Sequence, residues 1–230
     1  MHTIFSRVEL LLGKEALNQI KDKKVILFGV GGVGGWCAEC LIRSGIHHLT
    51  IVDYDKVMPS NINRQLPANS ETIGHAKVTI LQEHFKKINP EAHVTAIEQV
   101  YNKETSHLFR LDDYDYVIDA IDSVPDKAHL ILNASESNAK LFSSMGAALK
   151  LDPTRIKTAS FDKVQGDPLA RALRQRFKKD RFPSRKFTCV YSEERLKNRI
   201  EDRANGSMMH VTAAFGLALA GLVINDVAGS

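Results

Sequence analysis

The sequence predicts an α/β fold: a mostly parallel sheet with helices on both faces, a flexible basic insert and an apolar C-terminal helix. Three observations carry that expectation. Lys24–Gly29 (KVILFG) is an unbroken apolar run of strand length, the pattern of a strand buried on both faces rather than one. Apolar runs of this kind then recur with helix-length segments between them, the βαβ order that builds a parallel sheet. The chain has 230 residues, 43% hydrophobic and 25% charged, enough for one large α/β domain with a sizeable core.

The elements follow in order. Trp36–Ser44 reads as a helix ended by Gly45, and His48–Asp53 as the second strand, completing a Rossmann-like βαβ unit of about 30 residues. Glu71–Ile88 is amphipathic up to Asn89-Pro90, so the spacing predicts a helix over that whole span. Val94–Ile97, Tyr116–Ile121 and Lys140–Gly146 are strands three to five, with a helix from Pro125 to about Asn138 before the last. Arg155–Phe161 is a further strand. Gln165–Gly206 is basic and poorly periodic, which reads as a mobile lid or recognition insert. The whole is one domain: a core over 1–160, the basic insert over 161–206 and the terminal helix over 207–228. Within that helix Val211–Val223 (VTAAFGLALAGLV) is 13 uncharged residues long. A bilayer span needs about 20, so a buried or dimer-interface helix is expected and a stable membrane span is not.

Three cysteines (Cys37, Cys40, Cys189) are too few and too odd in number for a secreted disulfide framework, and a reducing compartment fits better. Charges interrupt the apolar stretch of MHTIFSRVELLLGKEAL, which does not read as a signal peptide; the expected location is cytoplasmic. The net charge of +4 is uneven: Lys150–Arg203 holds 16 basic and 8 acidic residues, while the 149 residues before it carry −3. Its densest part supplies Arg171, Arg174, Arg176, Lys178, Lys179, Arg181, Arg185 and Lys186. A solvated helix face can look like this; the asymmetry equally suits a polyanion such as RNA.

Gly29-Val-Gly31-Gly32-Val-Gly34 lies directly after a strand and before a helix. Glycines there permit the tight turn and let backbone N–H groups and the helix N-terminus meet phosphate oxygens. Asp53 ends the next strand, 19 residues beyond Gly34, where a carboxylate accepts hydrogen bonds from ribose hydroxyls. By itself this pattern also fits a nicotinamide or flavin site. Asp55 then leads into Ser60-Asn61-Ile-Asn63-Arg64-Gln65, with Lys77 thirteen residues after Arg64. An Arg fork and a Lys point charge beyond the ribose suit a triphosphate, so ATP is the expected nucleotide. Asp122, in Asp119-Ala-Ile-Asp122-Ser123, falls at the carboxyl edge of the sheet, where a carboxylate can hold Mg²⁺ on the phosphates.

Taken in this order, GVGGVG, Asp53-x-Asp55, SNINRQ, the Lys of GHAK and DAIDS resemble the ubiquitin-activating-like (ThiF/MoeB) adenylyltransferase superfamily, over roughly residues 5–160 plus the terminal helix. The resemblance implies a homodimer that activates a carboxylate as an acyl-adenylate. It implies that Gly31 and Asp53 contact ATP, that Asn61, Arg64 and Lys77 hold its phosphates, and that Asp122 binds Mg²⁺. Arg7, in Phe-Ser-Arg, resembles the arginine that reaches the neighbouring subunit's triphosphate.

The sulfur-carrier adenylyltransferases of this superfamily usually hold a structural zinc on two CxxC pairs. Only Cys37-Ala-Glu-Cys40 has that spacing here, within a helix, so a four-Cys zinc is excluded and the pair reads as helix packing. The lack of zinc, Gln165-Gly-Asp-Pro-Leu-Ala170 with its basic followers, and Cys189-Val-Tyr-Ser192 resemble the tRNA threonylcarbamoyladenosine dehydratase family. That resemblance implies ATP-dependent cyclisation of a threonylcarbamoyl group on tRNA. Cys189 can be read as a thioester-forming thiolate or as packing; intramolecular cyclisation needs no enzyme nucleophile, which favours packing. Two other readings remain: an adenylyltransferase for the C-terminus of a ubiquitin-like sulfur carrier of the thiamine or molybdopterin type, and a non-catalytic nucleotide-binding scaffold. The latter is disfavoured by the presence of Asp53, Arg64, Lys77 and Asp122 together. A sulfur-transfer protein is a further candidate partner of the chain, alongside tRNA and a second copy.

Overall fold

In the computed structural model, which describes residues 3–202 and 204–229, the chain opens with helix α1 (Ser6–Asp22). There follow β1 (Lys24–Phe28), α2 (Gly34–Ser44), β2 (His48–Val52), α3 (Lys77–Ile88), β3 (His93–Ile97), β4 (Tyr116–Asp119), α4 (Val124–Glu136) and β5 (Lys140–Ser144). Then come β6 (Lys157–Ser160), α5 (Pro168–Lys179), β7 (Thr188–Tyr191) and α6 (Met209–Ala228). Arg203, the last residue of the basic stretch, lies outside the described residues.

One seven-stranded sheet has the order β3-β2-β1-β4-β5-β7-β6. Every pairing is parallel except that of β6 with β7. Successive side chains of a strand point to opposite faces. Val25 and Leu27 of β1 accordingly join a core with α2, α3 and α6, while Ile26 and Phe28 join one with α4 and α5. Both faces are covered, which is why the central strands read as unbroken apolar runs. The expected α/β class is therefore the observed one.

Helix α6 lies along α2, burying Val211, Phe215, Leu219 and Val223. It is long and apolar enough to cross a membrane, and here 44% of its most apolar window is buried in the fold. Gly216 sets the spacing: a Cβ there would stand 2.4 Å from the Val33 carbonyl oxygen and 2.8 Å from the Cys37 nitrogen.

Two expectations change. The helix expected from Glu71 starts only at Lys77, because the preceding segment pairs instead with residues 56–57. Gly74, at φ +85°, turns the chain so that its amide donates to the Val57 carbonyl (2.9 Å), while the Val57 amide donates to His75 O (2.9 Å). The insert expected over 161–206 is also largely built into the fold. It contains α5, which buries Ala170, Leu173 and Phe177, and β7, which lies inside the sheet between β5 and β6. Within it 164–167, 180–187 and the described residues of 192–206 lack regular structure; Arg203 is not described.

Gly216→Val should lower the melting temperature by several degrees. Overpacking costs about 1–3 kcal/mol, and each kcal/mol shifts a domain of this size by about 2–4 °C. A thermal unfolding curve that overlays the parent's would show that α2 and α6 are not in tight contact.

Candidate active site

Ligands of open parallel sheets bind beyond the carboxyl ends of the strands, where the strand order reverses. In this sheet that point lies between β1 and β4, and a cavity of about 840 Å³ opens there. Gly29, Gly31, Gly32, Asp53, Asp55, Arg64, Lys77 and Asp122 all line it.

Two glycines make the loop after β1 possible. Gly29 has φ +85°, and a Cβ on it would stand 2.8 Å from the Ala120 carbonyl oxygen at the end of β4. A Cβ on Gly34 would stand 1.8 Å from the Gly29 carbonyl oxygen. Gly34 thus lets α2 sit down on β1, and does not itself line the cavity; Gly31 and Gly32 do. The Asp53 carboxylate ties this loop to the end of β2. Its Oδ2 accepts from the Val30 amide (2.7 Å) and its Oδ1 from the Asp55 amide (2.8 Å). Burial raises the Asp53 pKa, against these two hydrogen bonds, which lower it. Each oxygen keeps acceptor capacity for a ribose hydroxyl.

The basic groups beyond Asp53 are held in two different ways. Lys77 begins α3 and is buried; its Nζ lies 2.7 Å from Asp55 Oδ2, and its amide donates to Asp55 O (3.1 Å). Arg64 donates from Nη1 to Ser60 O (2.9 Å) and Asn63 Oδ1 (2.8 Å). Trp36 of α2 donates to the Arg64 carbonyl (3.0 Å). Asn61 does not line the cavity. It is buried, its Oδ1 accepts from the Met58 amide (3.0 Å), and its carbonyl accepts from the amides of Arg64 and Gln65. Asn61 therefore shapes the turn, and Gln65 takes the place beside the loop. The Gln65 Nε2 lies 3.7 Å from where a Gly31 Cβ would be, and its Oε1 is buried without a partner among the described residues. Arg7 sits exposed on the first turn of α1 and does not line the cavity of its own chain.

Asp122 is exposed at the cavity mouth, and Asp126 lines the cavity close by. The loop that carries Asp122 is held from inside by Asp119 and Lys127, both fully buried, with Asp119 Oδ2 2.8 Å from Lys127 Nζ. Ser143 of β5 donates to the same oxygen (2.6 Å), and Asp119 Oδ1 accepts from the Ile121 amide (3.1 Å). Lys127 also donates to Ile121 O (3.0 Å). In the sequence Lys127 looks like an ordinary helix-surface charge; nothing local marks it.

A second feature invisible in the sequence is the far wall. Lys150 is buried and donates to the carbonyls of Ser192 (3.0 Å) and Glu194 (2.8 Å), and burial lowers its pKa. Glu194 in turn accepts from the amides of Leu151 and Asp152. The irregular segment after β7 is stitched to 149–152 in this way, and its Arg195, Leu196 and Asn205 line the cavity.

Cys189 is buried in β7, and burial pushes its thiol well up, so no thiolate is available there for a thioester. Cys37 and Cys40 lie in α2 with thiols raised by burial, as packing residues. Among the described residues no group of three or more His, Cys, Asp or Glu is placed to hold a metal. The basic run divides. Arg174 donates to the carbonyls of Phe161 and Val164, Arg181 pairs with Glu136, and Arg185 donates to the carbonyls of Ser135, Ala134 and Ala139. Arg171, Arg176, Lys178, Lys179 and Lys186 are exposed to solvent.

The model of the ThiF family matches residues 5–229. The chain is 43% identical to a tRNA threonylcarbamoyladenosine dehydratase of Bacillus subtilis, over 83% of this chain and 74% of that protein. It superposes with a TM-score of 0.91 on the E. coli tRNA N6-threonylcarbamoyladenosine dehydratase in complex with ATP, at 35% identity, covering 98% of this chain and 93% of that one. A molybdopterin-synthase adenylyltransferase of E. coli is 29% identical, over 77% of this chain and 66% of that protein.

Lys127→Met should destabilise the protein by about 3–5 kcal/mol, because it leaves the Asp119 carboxylate buried and unpaired. Adding Asp119→Asn should return part of that loss. Denaturant unfolding measures both; a single variant as stable as the parent would mean that the pair does not hold the loop.

Proposed function

The chain belongs to the ThiF family, and we propose that it uses ATP to dehydrate and cyclise the threonylcarbamoyl group of a modified adenosine in tRNA, through an acyl-adenylate. The observation that carries this reading is the convergence of Asp53, Arg64, Lys77 and Asp122 on one cavity, in a chain that shares nearly its whole fold with such a dehydratase.

In this reading Asp53 receives the ribose, and the amides of the Gly31–Val33 turn at the start of α2 meet the phosphates. Arg64 and Lys77 draw charge off the triphosphate while the substrate carboxylate attacks the α-phosphorus and pyrophosphate leaves. The carboxylate oxygen, a poor leaving group, thereby becomes part of AMP, a good one. The carbamoyl oxygen of the same side chain then closes onto the activated carbonyl, the adjoining carbamoyl nitrogen gives up its proton, and AMP departs carrying the former carboxylate oxygen. No atom of sulfur enters the product, so a sulfur-transfer protein docked on this chain would act outside the cyclisation step.

Asp122 and Asp126 offer hard oxygen ligands at the cavity mouth, which fits a Mg²⁺ ion that shares the phosphates and neutralises their charge. The water-excluding lid narrows to the described residues of 192–202 and 204–207, which Lys150 and Glu194 attach to the cavity wall. A homodimer is supported by the exposed Leu10 (78%) and Leu11 (82%) of α1 and by Leu217 (49%) of α6. Three free thiols and the use of ATP support a cytoplasmic location.

Asp122→Asn and Lys77→Ala should each reduce tRNA-dependent AMP formation about 10²-fold or more. Melting should change little, since Asp122 is exposed and Asp55, which would lose its partner Lys77, is 47% exposed. Near-parental turnover in either variant would overturn the assignment of the phosphate end. If Arg7 acts across the dimer, mixing inactive Arg7→Ala and Lys77→Ala subunits restores partial activity, because one site of each mixed dimer then has both groups. Proven subunit exchange without recovery would remove Arg7 from the partner's site.

A further inference from the structure

A smaller cavity, of about 480 Å³, lies beside the first turn of α5. Pro168 and Leu169 of that turn line the nucleotide cavity, whereas Asp167 and Arg171 line the smaller one, and Arg195 lines both. We propose that the smaller cavity binds a backbone phosphodiester of the RNA, next to the nucleotide whose side chain is adenylated. The proposal rests on the tRNA reading above and assigns the substrate's phosphate to a specific place.

Four cations converge there. Arg171, Arg174 and Lys178 are spaced i, i+3 and i+7, on one face of α5, and Arg195 comes from the segment after β7. Two of the four are fixed in advance. Arg174 donates from Nη2 to the carbonyls of Phe161 and Val164, and its guanidinium lies 5.1 Å from the Phe161 ring centroid. Arg195 donates from Nε to the Gly166 carbonyl. Both are thus anchored to the same 161–166 turn through a single nitrogen, which leaves the other nitrogens of each fork to meet a ligand. A planar fork held in this way matches phosphate oxygens and loses little rotamer freedom on binding.

Positive charge is also in excess there. Among the described residues none of these four forms an ion pair. Of the two carboxylates in the cavity, Asp162 accepts from Ser160, and Asp167 Oδ1 accepts from the Ala170 amide (2.9 Å), while Asp167 Oδ2 has no hydrogen-bond partner among the described residues and lies 3.4 Å from where a Gly146 Cβ would be, on the side of the larger cavity. Four cations against two carboxylates leave an excess positive charge, and Gln165 and Gln175 add neutral donors. The ATP phosphates are accounted for elsewhere, since Gly31, Gly32, Arg64 and Lys77 line only the larger cavity. Another phosphate source of the same chemistry is free pyrophosphate, and the experiment separates the two.

The test uses the full chain and the double variant Arg171→Gln/Lys178→Gln, both exposed positions outside the nucleotide cavity. The probe is a stem-loop RNA containing the threonylcarbamoyl adenosine, bound at several salt concentrations. The expected result is weaker RNA binding and a salt slope shallower by about 0.7–0.9 for each phosphate that is no longer neutralised, with ATP affinity unchanged. Replacing single phosphates flanking the modified nucleotide by neutral methylphosphonates should weaken binding to the parent at one linkage, and the double variant should be indifferent to that linkage. If the parent binds the RNA but the double variant keeps its affinity and slope, the cavity does not hold the RNA and the proposal fails, leaving the tRNA reading intact. If the variant loses only binding of inorganic pyrophosphate, the proposal is overturned in favour of a product site. A parent that binds no RNA overturns the tRNA reading and this proposal with it.

Discussion

At the carboxyl end of β4, a lysine and an aspartate face each other with no access to water, and the shape of the nucleotide site depends on what they hold. Removing a charge from water costs several kcal/mol, so a buried pair persists only when its geometry satisfies the remaining donors and acceptors. Asp119 accepts from Lys127, Ser143 and the Ile121 amide, and Lys127 returns a bond to the Ile121 carbonyl. The pair therefore grips both polar groups of one peptide residue, which two apolar side chains cannot do. That residue belongs to the loop whose Ala120 carbonyl limits Gly29 and whose next member is Asp122. The phosphate loop, the carboxylate at the cavity mouth and the end of β5 are thus fixed relative to one another by a single buried contact.

The remaining charges of the site are arranged by how readily each can be given up. Lys77 is buried, and its partner Asp55 is half exposed, so water can take over the carboxylate when a phosphate arrives. Arg64 is held by neutral acceptors, the Ser60 carbonyl and the Asn63 amide oxygen, which leave its charge uncommitted. One cation waits in an exchangeable ion pair and the other on neutral oxygens. Both arrangements fit a polyanion that must enter, react and leave, whereas two fully buried ion pairs would resist it.

The nucleotide half is legible because its signals are local. Buried parallel strands give unbroken apolar runs, and the site residues sit in the connections that follow two of them: Asp53 directly after β2, Arg64 in the loop from β2 to α3, Lys77 at the start of α3 and Asp122 just after β4. Where the sequence misleads, the reasons are equally physical. The 168–191 stretch looks like an insert because α5 buries only three of its twelve residues and β7 is four residues long, among many bases. Helix α3 starts six residues later than its amphipathic spacing implies, because that spacing does not reveal that residues 74–76 pair with 56–57. Asn61 has the chemistry of a phosphate contact, yet its side chain closes the turn beneath Arg64 and leaves Gln65 at the loop. The eight bases of 171–186 do not make one patch, for a related reason. Arg181 pairs with Glu136 and Arg185 turns onto backbone carbonyls of 134–139, whereas Arg174 is anchored by neutral carbonyls beside the smaller cavity; a sequence shows charge without showing what meets it.

The apolar composition of the C-terminal helix follows from packing. Thr212 lies 3.4 Å from where a Gly32 Cβ would be, and Gly216 abuts Val33 and Cys37, so α6 forms the floor beneath the phosphate loop. Its apolarity on that side is the ordinary requirement of a core. Its other side keeps Leu217 exposed, and on α1 the residues Arg7, Leu10 and Leu11 are spaced i, i+3 and i+4, so they share one helix face. That sharing ties the proposed dimer to the proposed role of Arg7. If the apolar face of α1 is covered by a second copy of the chain, Arg7 is carried into the same interface by the helix itself. The exposure of Arg7 away from the nucleotide cavity of its own chain is then explained by the covering of the two leucines beside it, and one contact decides both.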